Sequence, residues 1–208
     1  MNGRTLVDGV RETERTELDR LGSDKAMIAA TGADLAADPV LDHVAATLAG
    51  LRETCEEWAE TTDDADAAAL FAATAEAADE EYGRVTDAMD GEPTDDRPAV
   101  VAALGEFEEP PGRVGALVGE ALVAERTLLQ GVNFFVNEAD ERRADLIRDV
   151  RAAADGRVDE AAAVLDSVCA GDTDWDAAEA AAVAVVDAAY AEYADALDAL
   201  GIDPKPVC

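Results

Sequence analysis

Acidic residues dominate this chain of 208 residues, in which 48 Asp and Glu stand against 16 Lys and Arg and the formal net charge is -32. A compact state with this charge repels itself in dilute buffer, whereas molar salt shortens the Debye length to about 3 Å, so the composition favours a protein of a halophile. The composition excludes nucleic acid as a partner, because binding to phosphates needs clustered basic residues. The membrane is excluded as well, since no run of about 18 apolar residues is present.

Apolar residues recur at spacings of three and four along the whole chain, and no stretch shows the strict alternation of a half-buried strand. The pattern therefore predicts an all-α protein. The first helix is predicted from residue 5 to about residue 21, with a break at Gly22 and a short helical piece through Met27 and Ile28.

Two long helices are predicted next. Pro39 lies in the first turn of one of them, a position that proline favours. TTDD then caps the start of the other. The helix that begins near Pro39 carries a narrow apolar seam of Leu41, Val44, Leu48, Leu51, Cys55 and Trp58. The helix after TTDD carries an apolar face of Phe71, Thr74, Ala75, Ala78, Tyr82, Val85 and Met89.

Residues 90–112 form a long connection punctuated by proline and glycine, with one short helix predicted at about residues 100–107. Such a length can carry the chain along a bundle. The helix that follows, at about residues 114–136, is the most hydrophobic element of the sequence.

The C-terminal part begins with a polar helical stretch at residues 139–169, with a kink expected at Gly156. The last helix is predicted to be capped by Thr173 and ended by Gly201. Two prolines make residues 204–208 an extended tail. We expect a single all-helical domain over residues 1–203, with the main bundle at about residues 39–200 and the packing of residues 1–33 and 139–169 left open.

Three cysteines without a CxxC motif exclude a rubredoxin-type iron centre and a zinc knuckle. Cys55 and Cys169 fall on apolar faces and are predicted to lie in the core, whereas Cys208 is the candidate exposed thiol. Charged residues follow the first methionine too soon for a secretory signal, so a cytoplasmic location is expected. Carboxylates spread along the chain favour a solvated surface over a polyanion mimic or a cation-binding surface.

Four carboxylates interrupt apolar faces and are the candidate metal ligands. Glu125 lies near the centre of the apolar arc of its helix, so an ideal helix points it at the core, where it must be protonated, paired or metal-bound. Glu81 lies at the edge of its apolar face. Glu14 and Glu17 share a side with leucine and valine residues. Each could instead be a rim carboxylate, or one paired with an arginine such as Arg126.

Residues 58–85, WAETTDDADAAALFAATAEAADEEYGRV, resemble the first helix pair of rubrerythrin-family proteins. In that family the second helix reads F-x-x-T-A-x-x-E-x-x-H, and Phe71, Thr74 and Ala75 match it. The long connection and the apolar helix with Glu125 resemble the family's crossover and third helix. The ending GIDPKPVC resembles that of haloarchaeal chains grouped as rubrerythrin-like. The resemblance implies a ferritin-like four-helix bundle with a long crossover and additional N-terminal and C-terminal helices.

The sequence departs from the family's metal-ligand pattern. A ferritin-like di-iron site takes a Glu from each of two helices and a Glu-x-x-His pair from each of the other two. Ala78 and Glu81 occupy the first such pair, and the preceding helix has Leu48 at or near its glutamate position. The only histidine, His43, has Val40 and not a carboxylate three positions before it, and is read as a surface residue near a helix start.

Two functions remain open. The first is a non-catalytic ferritin-like scaffold, adaptor or regulatory partner without a cofactor, which binds another protein or itself through the helix carrying Val183 to Leu200 and through Phe134 and Phe135. The second is a divergent ferritin-like oxidoreductase with iron or manganese at a reduced carboxylate site of Glu125 and Glu81, with Glu14 or Glu17 in addition. Oxygen ligands alone suit Mg²⁺, Mn²⁺ or Ca²⁺. The shortage of histidine favours the scaffold.

Overall fold

Every regular element within residues 1–205, the part of the chain that the computed structural model describes, is helical, as the sequence predicts. No helix in this range is long and apolar enough to cross a membrane. Cys208 and most of the predicted tail lie outside the described residues. The helices are α1 (Gly3–Thr13), α2 (Arg15–Leu21), α3 (Lys25–Ala30), α4 (Ala37–Thr61), α5 (Ala65–Thr86), α6 (Ala99–Ala102), α7 (Pro110–Asn137), α8 (Glu141–Val168) and α9 (Asp172–Ala199), with a 3₁₀ turn at Ala103–Glu106.

The four long helices α4, α5, α7 and α8 form two hairpins, each closed by a short connection. Residues 62–64 join α4 to α5, and residues 138–140 join α7 to α8. Residues 87–109 link the two hairpins. The hairpins pack side by side, with α5 against α8, and α9 packs along α7 as a fifth long helix. The short helices α1, α2 and α3 pack against α8 and α9.

The first half of α7 is the centre of the molecule. Every residue from position 114 to position 124 is buried, on all sides of the helix. A helix that is apolar all round must be surrounded by other elements. Here α8 and α9 enclose it most extensively.

Glycines allow α7 and α9 to approach closely. A Cβ atom added to Gly115 would lie 2.1 Å from the carbonyl oxygen of Ala178, and one added to Gly119 would lie 2.4 Å from that of Ala182. Side chains larger than hydrogen therefore do not fit here without separating the two helices.

Local structure differs from the sequence prediction at three places. The first predicted helix is split at Glu14 into α1 and α2, although its apolar spacing continues across the break. Helix α8 runs through Gly156 without interruption. The start of α9 is capped by Asp174, whose Oδ2 accepts hydrogen bonds from the backbone N–H of Ala170 and Gly171, and not by Thr173.

Residues 87–109, called here the connecting segment, are tied along the outer side of α4. The Asp38 carboxylate accepts a hydrogen bond from the N–H of Asp90 at 3.0 Å. The Asp42 carboxylate accepts from the N–H of Thr94 at 2.7 Å and from its hydroxyl at 2.8 Å. Two carboxylates one helical turn apart on α4 therefore set the path of the segment.

Candidate functional site

Four long helices each bring one ionisable side chain into the interior. They are Cys55 of α4, Glu81 of α5, Glu120 of α7 and Arg157 of α8, with exposed fractions of 0%, 8%, 1% and 6%. Charged side chains are almost never buried to this degree without a partner. We call these four residues the interior polar cluster.

An ion pair forms the centre of the cluster. Arg157 Nη2 lies 3.1 Å from Glu120 Oε2. The two opposite charges neutralise each other, but the two groups are not oriented so that they form a hydrogen bond. Within residues 1–205, neither Glu120 Oε2 nor Arg157 Nε has a hydrogen-bond partner. A buried polar atom in this condition costs free energy unless something else binds it.

The pair acts electrostatically on the other two members of the cluster. Burial raises the pKa of the Cys55 thiol to about 12, with Arg157 opposing and Glu120 adding to the effect. A thiol with this pKa stays protonated and is not a nucleophile at neutral pH. Burial likewise raises the pKa of Glu81 to about 7, and Arg157 again opposes while Glu120 adds. Glu81 is therefore the titrating member of the cluster.

Titration of Glu81 should make the protein less stable as the pH rises. Because the folded-state pKa of about 7 lies above the ordinary glutamate pKa of 4.5, the unfolded chain releases the proton first, so the free energy of unfolding falls between pH 4.5 and about 7. We expect Glu81→Gln to remove this fall and to raise stability above pH 7 by about 3 kcal/mol. Urea unfolding across this pH range in molar KCl measures it. The neighbouring exposed Glu80, changed to Gln, is the control and should leave the slope in place.

A cavity of about 420 Å³ lies beside the interior polar cluster, and Glu120 and Arg157 form part of its wall. It exists because α4 and α7 make few direct contacts. Most of the remaining wall is apolar, which together with a few converging polar groups is typical of small-molecule sites. Its apolar side chains include Leu21, Met27, Val44, Leu48, Val123 and Leu128.

The connecting segment closes one side of this cavity. It is held to α4 by an ion pair between Arg97 Nη1 and Glu53 Oε2 at 3.4 Å, and to α9 by the N–H of Ala99, which donates to Glu192 Oε1 at 3.1 Å. Asp96 and Arg97 are exposed and also line the cavity, so the cavity reaches the surface at this segment.

His43 lines the cavity and is half-buried, which differs from the surface histidine expected from the sequence. Burial lowers the pKa of its imidazole, against the opposing charge of Asp42. The neutral form is therefore favoured at neutral pH. Residues of α3 and of the connecting segment, which the sequence pattern did not place over this part of α4, line the same cavity as His43.

Glu125 does not belong to the interior polar cluster. Its side chain is 18% exposed, and its carboxylate pairs with Arg11 at 3.2 Å and with Arg151 at 3.7 Å. Among the outcomes that the sequence leaves open, a carboxylate paired with arginine is the one observed, although the partners come from α1 and α8 and not from α7 itself.

The other two candidate acids lie together in a separate place. Glu14, at the break between α1 and α2, is buried, and Glu17 is half-buried. Burial raises the pKa of Glu14, with added effects of Asp187 and Glu17. Glu81, by contrast, responds to Arg157, Glu120, Arg84 and Asp149. The structure thus distributes the four predicted acids over three charge environments, and in the part of the chain that it describes no group of three or more His, Cys, Asp or Glu could hold a metal ion.

Glu120 and Arg157 were not among the residues predicted from the sequence, although each left a signal there. Glu120 is the only charged residue between positions 114 and 124. Arg157 follows Ala154 by three residues and precedes Ala161 by four, and both alanines are buried, so the spacing places it on the inner face of α8. The apolar stripe on one face of α7 predicts that Glu125 points inward. Because α7 is buried on all sides, Glu120 is the interior acid instead.

The faces suggested for a protein partner are largely used inside the chain. Val186, Tyr193 and Leu197 of α9 are buried in the core, as is Phe135 of α7. Leu200, at the end of that stripe, is exposed. Cys55 and Cys169 are buried free thiols, as predicted.

Comparison of the chain with models of known protein families, with curated proteins and with solved structures finds no match.

Proposed function

We propose that this chain is a ferritin-like helical bundle of a halophile that acts without a di-iron centre, as a cytoplasmic scaffold, adaptor or regulatory binding protein. The observation that carries the proposal is the buried guanidinium of Arg157, which lies against Glu120 where four helices meet. A fixed cation at this position supplies the positive charge that a metal would otherwise bring.

The order of elements supports the ferritin-like part of the proposal. Two hairpins, α4–α5 and α7–α8, are joined by a connecting segment long enough to carry the chain along the bundle. One-crossover bundles of this kind have that order. The net charge of -32 supports the halophilic part, since molar salt removes most of the self-repulsion.

The donor set supports the absence of di-iron chemistry. Glu-x-x-His pairs are required on two helices. The corresponding pairs are Ala78 with Glu81 on α5, and Ala154 with Arg157 on α8. Alanine has no donor atom, and a guanidinium is always protonated, so it repels a metal cation. Two carboxylates and a protonated thiol do not fit a di-iron site.

Metal analysis of protein purified in molar KCl tests the proposal. We expect iron and manganese well below one atom per chain, both in the natural protein and after Glu120→Gln or Glu125→Gln. Stoichiometric metal that disappears with any of Glu81, Glu120 or Glu125 would contradict the proposal and favour the divergent oxidoreductase.

A reconstruction tests the ferritin-like geometry separately. The combined changes Ala78→Glu, Glu81→His, Ala154→Glu and Arg157→His restore a Glu-x-x-His pair to both α5 and α8 beside Glu120. We expect this variant to bind divalent metal when the natural chain does not. A folded variant without metal affinity would mean that the inner faces of α5 and α8 are not arranged as in a ferritin-like bundle.

A further inference from the structure

We propose that the cavity beside the interior polar cluster binds an uncharged, amphipathic small molecule whose polar head is a hydroxyl or a primary amide. This site goes beyond the proposed scaffold or regulatory role, because that role would then depend on a bound ligand. It rests on the cavity volume, the burial of Glu120 and Arg157, and their atoms without hydrogen-bond partners.

The size and wall of the cavity indicate a small organic ligand. A volume of about 420 Å³ lies within the range of ligand pockets, which are mostly apolar with a few polar groups that set orientation. Leucine, valine and methionine side chains of α3, α4 and α7 line it. They would contact the apolar body of the ligand and exclude water from it.

The two charged residues select the head group. Glu120 and Arg157 already neutralise each other, so a charged ligand head would add a charge without a partner in a buried place, which is costly. Oε2 of Glu120 is an acceptor and Nε of Arg157 is a donor, and no group within residues 1–205 hydrogen-bonds to either. Both atoms are covered by neighbouring side chains, so the ion pair must turn toward the cavity to bind a head that both donates and accepts, as a hydroxyl or a primary amide does.

The connecting segment gives the ligand a way in. Asp96 and Arg97 of this segment lie where the wall reaches the surface, and the Arg97 side chain is held there by a partly exposed ion pair with Glu53 and a hydrogen bond to the Thr54 hydroxyl. Partly exposed pairs of this kind contribute little stability. Movement of the Arg97 side chain would widen this opening, while the Asp38 and Asp42 hydrogen bonds and the buried Val101 and Leu104 keep the segment in place.

Calorimetric titration of the full chain in molar KCl with four probes of equal chain length tests the proposal. The probes are 1-octanol, octanamide, octanoate and octylammonium. We expect binding of the first two, and at least about tenfold weaker binding of the two ions, because each buries an unneutralised charge. Absence of binding by octanol and octanamide would overturn the proposal, since ordered water alone would then satisfy Glu120 and Arg157. Equal binding of all four probes would overturn the selection of the head group.

Matched variants locate the binding. Ala189 of α9 lines the cavity, whereas Ala191, two residues further on, is exposed. Ala189→Leu fills the cavity and should abolish binding of octanol, while Ala191→Leu should leave it unchanged. If Ala189→Leu does not fold, Ala124→Leu fills the cavity from the α7 side and replaces it in the test. Binding that persists in a folded cavity-filling variant would place it elsewhere and overturn the proposal.

A change of one charge tests the role of the ion pair. Glu120→Gln keeps the shape of the side chain but leaves Arg157 with a net positive charge. The order of affinity should then change, with octanoate binding at least about tenfold tighter than to the natural protein. A folded Glu120→Gln chain that still prefers octanol to octanoate would show that the ligand head does not contact this pair.

Discussion

Replacement of Arg157 by methionine should lower the free energy of unfolding by about 3 to 5 kcal/mol. The change leaves the carboxylate of Glu120, which is 1% exposed, without a counter-charge in the interior. Most of the loss comes from that unpaired charge and not from the pair's own attraction. Chemical unfolding in molar KCl, followed by circular dichroism, measures it.

Two controls separate this explanation from a general loss of packing. The combined change Arg157→Met and Glu120→Leu removes both charges and should restore most of the lost stability, because well-packed apolar residues often replace a buried pair without cost. Arg148→Met, on the same helix, removes an exposed partner of Asp145 and should change stability by no more than about 1 kcal/mol. Equal losses in Arg157→Met and in the double variant would contradict the assignment of a buried ion pair.

Gly115→Ala is expected to have the second large effect on stability. The added Cβ would lie 2.1 Å from the carbonyl oxygen and 2.6 Å from the Cα of Ala178, both backbone atoms that cannot move aside alone. Helices α7 and α9 would have to separate along their contact. Overpacking of this kind costs about 1 to 3 kcal/mol, and more where the backbone must shift. Thermal unfolding in molar KCl provides the measurement.

Gly156→Ala in α8 is the matched control for this substitution. No atom lies within 4 Å of a Cβ added at Gly156, and the residue is inside a helix. Alanine should therefore stabilise the protein by about 0.4 to 1 kcal/mol, by reducing the freedom of the unfolded chain. A Gly115→Ala variant that gains stability as Gly156→Ala does would show that α7 and α9 are further apart than described here.

Most of the helices could be predicted from the sequence because the information is local. Apolar spacing, the proline of the first turn of α4 and the glycine after α9 depend only on neighbours a few residues away. Glycine at position 201 indeed has a positive φ of 73°, the conformation expected at the end of a helix. The break at Glu14 was not predictable in this way, because the apolar pattern continues through it.

The candidate site was harder to predict, because burial depends on which helices surround a residue. Glu125 has the spacing of a core residue, yet α1 and α8 supply arginines that hold it near the surface. Glu120 is off the main stripe of α7, yet the packing of α8 and α9 around this helix buries it. Glu81 was the one predicted acid that lies in the interior polar cluster.

What the sequence by itself determined about this protein is its net charge and its secondary structure. The net charge and the three-four spacing are sums and periodicities, and they do not depend on how distant parts of the chain meet. Tertiary structure alone decided that Glu120 and Arg157, which are 37 positions apart (157 − 120), form one pair, and that a cavity remains between α4 and α7. Both are consequences of distances between helices, which no local pattern encodes.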